Sequence, residues 1–187
     1  AASTSTGNPL SLYHYSSAGT LLATVALDTS VTTAPVYGSS WVSKLDNGGY
    51  VVTWTRPLSG TDNDIYVQLF DASNNKVGVA TRVNTTIAGL QSDSSVAGLT
   101  GGGYVVSWDG PTGVFAQLFD ASGNMVGSET TVATASTAPA SATAPLQSAV
   151  AGLVGGGYVI TYQTGTNVGV QTFDANGVLT SATSFAP

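Results

Sequence analysis

The sequence contains no cysteine, and its 187 residues include one histidine, one methionine and four cations. Without thiols, neither disulfides nor thiolate metal ligands hold the fold. A single histidine, His14, excludes a histidine cluster for metal binding and any triad that needs a second one. Four Lys and Arg against ten Asp and Glu leave a net charge of -6. Cations so few and so scattered cannot form the basic stripe that nucleic acid or an anionic membrane surface requires. No apolar run reaches the roughly 18 residues of a membrane-spanning helix. The chain begins Ala1-Ala2-Ser3, with neither Met nor a basic leader; if the protein is secreted, its numbering begins after signal cleavage. A surface of Ser, Thr, Asn, Gln and Gly with so little Lys fits an extracellular protein better than a cytosolic enzyme.

What is present is a repeat. Gly101-Gly102-Gly103-Tyr104-Val105-Val106-Ser107-Trp108 is preceded by Asn47-Gly48-Gly49-Tyr50-Val51-Val52-Thr53-Trp54 and followed by Gly155-Gly156-Gly157-Tyr158-Val159-Ile160-Thr161-Tyr162. Tyr50, Tyr104 and Tyr158 stand 54 residues apart, as do Val42, Val96 and Val150, and Leu45, Leu99 and Leu153. A second motif reads Phe70-Asp71-Ala72-Ser73-Asn74, Phe119-Asp120-Ala121-Ser122-Gly123 and Phe173-Asp174-Ala175-Asn176-Gly177, each between two extended runs. Here the Asp side chain accepts from backbone N–H groups of a hairpin turn, and Gly, or Asn74 in its place, takes the left-handed conformation. Residues 10–28 (LSLYHYSSAGTLLATVALD) form a fourth such hairpin, with Ser16 replacing the Asp and a looser turn expected.

A short strand before each glycine cluster, the Tyr-Val strand after it and the two strands of the hairpin make a four-stranded up-and-down unit. Its period of about 50 residues is that of a propeller blade. Both faces of these strands are substantially apolar, so each unit must be covered on both sides. The expectation is an all-β, propeller-like array of four-stranded antiparallel meander blades, at about 41–85, 95–132 and 149–185. An N-terminal half-blade at 10–28 precedes them within one domain (10–187), behind a flexible arm, residues 1–9. Loops are expected to absorb the variation in spacing, chiefly residues 55–64 (TRPLSGTDND) and the Ala/Thr/Pro tract at 133–146.

Gly-Gly-Tyr-Val-Val-x-Trp followed by Gly-Val-Phe-Ala-Gln-Leu-Phe-Asp-Ala-Ser-Gly-Asn-x-Val-Gly-Ser-Glu resembles a tandem repeat of large secreted bacterial surface and adhesin proteins, strongest over residues 96–129. The resemblance implies an extracellular, bacterial cell-surface setting and a non-enzymatic, adhesive or structural role. It transfers no catalytic residues. That repeat often stands beside calcium-binding nonapeptides, which are missing here, so no calcium role carries over.

Candidate chemistry is thin. His14 lies in a strand-like run and reads as structural. Asp62, Asn63 and Asp64 offer three adjacent oxygen side chains, short of the six to eight oxygens calcium takes, so no cofactor is expected and a solvated turn is the simpler reading. Asp93 and Asp109 are loop acids with less to recommend them. Glu129 is the lone glutamate, and Arg56 and Arg82 the only arginines, so a paired-carboxylate glycosidase or an arginine-rich sialidase site is not expected. Trp54, Trp108 and Tyr162 are equivalent by period and read as core, with a row of sugar-stacking aromatics as the alternative; Trp41, outside the pattern, is the better exposed aromatic. Asn84-Thr85-Thr86 matches a glycosylation acceptor, and residues 134–145 could carry O-linked sugar.

Four hairpins against three strand pairs leave one half-blade without its mate, and a lone hairpin exposes edges that invite pairing. The expected function is therefore self-association, copy upon copy and possibly into filaments, by hairpin or strand addition. Leu10, Leu12, Tyr13, Tyr15, Leu21 and Leu22, or the arm 1–9, are its expected contacts, unless residues 29–40 cover the hairpin. A carbohydrate-binding module is the alternative, with glycans rather than nucleic acid or membrane as partners.

Overall fold

The computed structural model describes residues 10–28, 38–134, 147–164 and 167–186. The arm 1–9, most of 29–40 and nearly all of the Ala/Thr/Pro tract lie outside the described residues. Among those described there is no helix, and fourteen strands form four antiparallel sheets. Sheet I pairs β1 (Leu10–Tyr15) with β2 (Leu21–Asp28). Sheet II is β3 (Ser40–Lys44), β4 (Tyr50–Ser59), β5 (Asp62–Phe70) and β6 (Lys76–Arg82). Sheet III is β7 (Ser92–Gly98), β8 (Tyr104–Gly110), β9 (Gly113–Phe119) and β10 (Met125–Thr134). Sheet IV is β11 (Ala149–Gly152), β12 (Tyr158–Thr164), β13 (Asn167–Phe173) and β14 (Leu179–Phe185). Each four-stranded sheet runs up and down in chain order.

Turn chemistry sets these hairpins. Asp120 Oδ1 accepts from the Ser122 and Asn124 amides, both at 2.9 Å, and Asn124 Nδ2 donates to Oδ2. Asp71 repeats this set, and Asp174 accepts from the Asn176 and Val178 amides. These bonds hold the carboxyls below the usual carboxylate range, led by the Asn75 and Asn124 side chains at Asp71 and Asp120 and by the Val178 amide at Asp174. Asn74, Gly123 and Gly177 take the left-handed φ of 68°, 84° and 80°. In the first hairpin Ser16 Oγ accepts only from the Thr20 amide.

The stretch 55–64 is not a loop. Arg56 pairs with Asp64 and Pro57 with Asn63, so β4 and β5 extend as one long hairpin around residues 60–61. Leu45, Leu99 and Leu153 likewise sit just past β3, β7 and β11, where each amide donates to a glycine carbonyl across the turn (Gly49, Gly103 and Gly157).

Because side chains alternate along a strand, each sheet has two distinct apolar faces. Tyr104, Val106 and Trp108 face backwards and pack with Val51, Ile65, Val67 and Leu69 of sheet II. Val105, Val114 and Ala116 face forwards and pack with Tyr158, Ile160 and Phe173 of sheet IV. Tyr50, Tyr104 and Tyr158 each stand opposite a Phe in register, and the rings stack with centroids 4.8, 4.7 and 4.8 Å apart, a geometry worth about 0.5–1.5 kcal/mol beyond area burial.

The leading strands β3, β7 and β11 lie side by side. A Cβ added at Gly98 would overlap the Lys44 carbonyl oxygen, and one added at Gly152 would overlap the Gly98 carbonyl oxygen. The same repeat position is glycine wherever a preceding leading strand presses on it. In β3, with no described leading strand before it, the position is Lys44.

Candidate assembly surface

The hairpin β1–β2 sits on sheet II through one of its two faces. Leu10 and Leu27 are buried against Val52, Trp54 and Phe70, with Leu12 and Val25 half-buried at the margin. Lys76 Nζ donates to the Ala26 carbonyl at 2.7 Å, and the Arg56 guanidinium lies 3.4 Å from the Asp28 carboxylate. His14 Nε2 and Tyr50 Oη share a hydrogen bond of 2.6 Å, with the rings edge to face. Burial, and secondarily the Asp71 carboxylate, push the Tyr50 phenol up to about 12, so it stays neutral in this contact. His14 is thus a packing residue in the place where Leu69 and Leu118 stand one and two units later.

Among the described residues nothing covers the other side of the hairpin. Strands β5, β9 and β13 are paired on both edges, whereas among the described residues β1 pairs with β2 alone. Tyr15 holds the repeat position of Phe70, Phe119 and Phe173 but no described strand brings it a stacking tyrosine, and it is 57 % exposed. Leu21 and Leu22 are exposed beside it, and Val42 on β3 is exposed on the face of sheet II towards the hairpin. Leu12, Tyr13, Tyr15 and Leu22 of the hairpin and Val42 and Tyr50 of sheet II line a cleft of about 370 Å³ at the margin between the two.

The six residues named for assembly therefore split. Leu10 belongs to the core of its own chain, Leu12 and Tyr13 are half-buried, and Tyr15, Leu21 and Leu22 face outwards. Alternation separates the two faces in the sequence, but only the position of sheet II shows which one is spent.

The remaining candidates are placed as follows. Trp54 and Trp108 are fully buried and Tyr162 half-buried, so the two indoles cannot stack a sugar in this conformation; Trp41 is 55 % exposed. Trp108 Nε1 donates to Gln91 Oε1 at 3.1 Å. Asp62, Asn63 and Asp64 are consecutive in β5, so their side chains alternate instead of converging. Asp64 is buried, accepts from Asn84 Nδ2 at 2.6 Å and lies 3.6 Å from Arg82. Among the described residues no group of three His, Asp or Glu is arranged to hold a metal ion. Asp109 is no loop acid either. It is the penultimate residue of β8, where burial raises its pKa and the amides of Gln147 and Ser148 partly offset that. Glu129 accepts four hydrogen bonds from the amides and hydroxyls of Thr85 and Thr86, clasping sheet III to the end of sheet II. Asn84 is buried, with its amide spent on Ile65, Asp64 and Thr86, which closes it to a glycosylating enzyme.

A second bare surface, which sequence reasoning missed, lies at the far end. Val159, Val168 and Val170 occupy the forward face of sheet IV, and Val168 is 49 % exposed where its equivalents Ile65 and Val114 are sealed. Leu179 and Phe185 on β14 are exposed as well. The 54-residue register identifies this face, but nothing in the register says whether a neighbour covers it.

The chain matches no family model and none of the curated proteins. Among the described residues no helix is long and apolar enough to cross a membrane.

Proposed function

We infer that this chain is a secreted structural or adhesive protein of the bacterial cell surface whose copies associate through the β1–β2 hairpin. The observation that carries the reading is the hairpin itself. It is the second half of a repeat unit, packed as such on sheet II, with β1 paired on one side only among the described residues. An edge of that kind, flanked by Tyr15, Leu21 and Leu22, is the sort that proteins cover or pair. The side-by-side leading strands and the common sense of stacking support a propeller-like arrangement of three blades and a half. The role is read as non-enzymatic, in keeping with the structural bonds that occupy Asp64, Asp109 and Glu129.

Sedimentation velocity over a range of concentrations tests this. The expected result is species larger than one chain that grow with concentration, and their loss in the double variant Tyr15→Lys, Leu22→Lys, whose substitutions lie on exposed positions. A wild-type protein that sediments as a monomer at every concentration overturns it.

Trp41, exposed beside Val42, supports a second reading as a carbohydrate-binding module. Binding on a glycan array that disappears in Trp41→Ala would favour this reading over the first.

A further inference from the structure

We propose that the forward face of sheet IV is the seat for the β1–β2 hairpin of a second copy, so that copies add head to tail. This rests on the self-association reading above and names its receiving surface.

The first argument is continuity. Ile65, Val67 and Leu69 on sheet II are covered by sheet III, and Val114, Ala116 and Leu118 on sheet III by sheet IV. Val168, Val170 and Thr172 carry the same face one unit later, and no described element covers them. A face that is an interface twice within the chain occurs a third time with no described element upon it.

The second argument is the piece that fits it. In both internal junctions the turn of the next hairpin approaches the preceding sheet. A Cβ on Gly123 would stand 2.7 Å from Leu69 Cδ1, and one on Gly177 3.9 Å from Leu118 Cδ2. Gly19 is the same turn position in β1–β2, with φ 80° beside 84° and 80°, and none of the described residues lies within 4 Å of where its Cβ would be. The hairpin is a docking element of the repeat's own kind whose docking side no described element fills.

The third argument is charge. Residues 10–27 contain no Asp, Glu, Lys or Arg, and residues 147–186 contain only Asp174, which is engaged in its turn. The two surfaces can meet without taking a charge out of water, the step that makes polar interfaces costly.

Lys44 decides against the obvious rival, in which sheet II of the next copy stacks on sheet IV as sheet III stacks on sheet II. That packing would set the Lys44 Cβ on the Gly152 carbonyl, at a place where Gly98 and Gly152 are needed within the chain. The hairpin has no described leading strand and meets no such obstacle. At its outer tip the receiving face is also softer than the internal ones. Thr172 and Thr180 bond each other at 3.0 Å where Leu69 and Val77, or Leu118 and Val126, stand in the other sheets. The joint between copies is accordingly weaker than the joints within one, as a reversible assembly needs. Two different patches meet in it, so the contact propagates into rings or filaments.

The absence of native cysteine makes crosslinking decisive. The single variants Ala18→Cys, on the exposed turn, and Thr172→Cys are mixed and oxidised. The expected product is the covalent pair of the two variants, with neither giving much dimer alone. Self-coupling of Ala18→Cys without coupling to Thr172→Cys would show hairpins meeting each other, and overturns the seat while leaving self-association intact. Association of the wild type with no coupling of either kind also overturns it, and a strictly monomeric wild type removes the reading beneath. As an independent check, Val168→Lys is expected to abolish association in sedimentation while its circular dichroism and melting remain those of the wild type.

Discussion

The face that sheet II turns towards sheet III and the face of sheet IV that no described element covers are built from the same positions of one repeat. On the first, Val51, Ile65 and Val67 are sealed by Tyr104, Val106 and Trp108. On the second, Val159, Val168 and Val170 have no such cover among the described residues. The strands, turns and register are alike, and so is most of the chemistry. The difference is the neighbour. Strand patterning states which face wants burial, whereas stability comes only where a second sheet supplies it. The internal junctions hold the chain together, and the outer face keeps the same capacity unspent.

The largest test of that contrast is Trp108→Ala. The indole is fully buried between sheets II and III and its Nε1 is bonded to Gln91. Truncation at such a site leaves a cavity and an orphaned acceptor, with a loss of about 3–5 kcal/mol expected. Urea denaturation measures it, and a loss within about 0.5 kcal/mol would show that the junction is not sealed in solution.

Gly98→Ala comes next. Its Cβ would overlap the Lys44 carbonyl, so β3 and β7 must move apart, at about 1–3 kcal/mol by analogy with overpacked cores. Gly60→Ala, where nothing lies within 4 Å of the new methyl, is the control and should change stability by a few tenths at most. Similar losses for both would remove the leading-strand contact from the account.

Alkaline pH probes all the junctions at once. Burial foremost, then the Asp71 and Asp174 carboxylates, push Tyr50 and Tyr158 up to about 12, and burial with Asp120 carries Tyr104 higher still. An unfolded phenol ionises near 10. Above that pH the unfolded chain releases protons that the native one retains, so the native state loses ground. Stability present below pH 10 is therefore expected to fall as pH rises towards 12, and Tyr104→Phe should flatten the fall. Urea midpoints at pH 9 and pH 11 read the slope, and equal midpoints would contradict it.

The parts that the sequence discloses are those governed by neighbours along the chain. The turns at Asp71, Asp120 and Asp174 need only residues within four positions, and the 54-residue spacing needs only counting. What it hides depends on partners far away. Arg56, Pro57 and the acids of 62–64 read as a loop because their polarity resembles one. The structure makes them strand, through pairing across the hairpin and through Asp64 reaching Arg82 and Asn84. Leu10 and Tyr15 sit in one apolar run, and only the placement of sheet II makes one of them core and the other surface. The glycosylation pattern at Asn84 fails for the same reason, since local spelling cannot show that the amide is already committed.

The smallest expected effect is also the most direct reading of the contrast. Val114 and Val168 are the same repeat position, fully buried in sheet III and half-exposed in sheet IV. Removing two methyl groups from Val114 costs their transfer free energy plus a cavity term, about 2 kcal/mol. Val168→Ala removes the same atoms from a surface already in water, with an expected change under about 0.5 kcal/mol. Both values come from urea denaturation of dilute protein, where copies stand apart. At concentrations that favour association the Val168 value should rise towards that of Val114, because a ligand bound only to the native state stabilises it by mass action. A Val168→Ala effect that stays the same at every protein concentration would mean that this face never finds the cover for which the repeat prepares it.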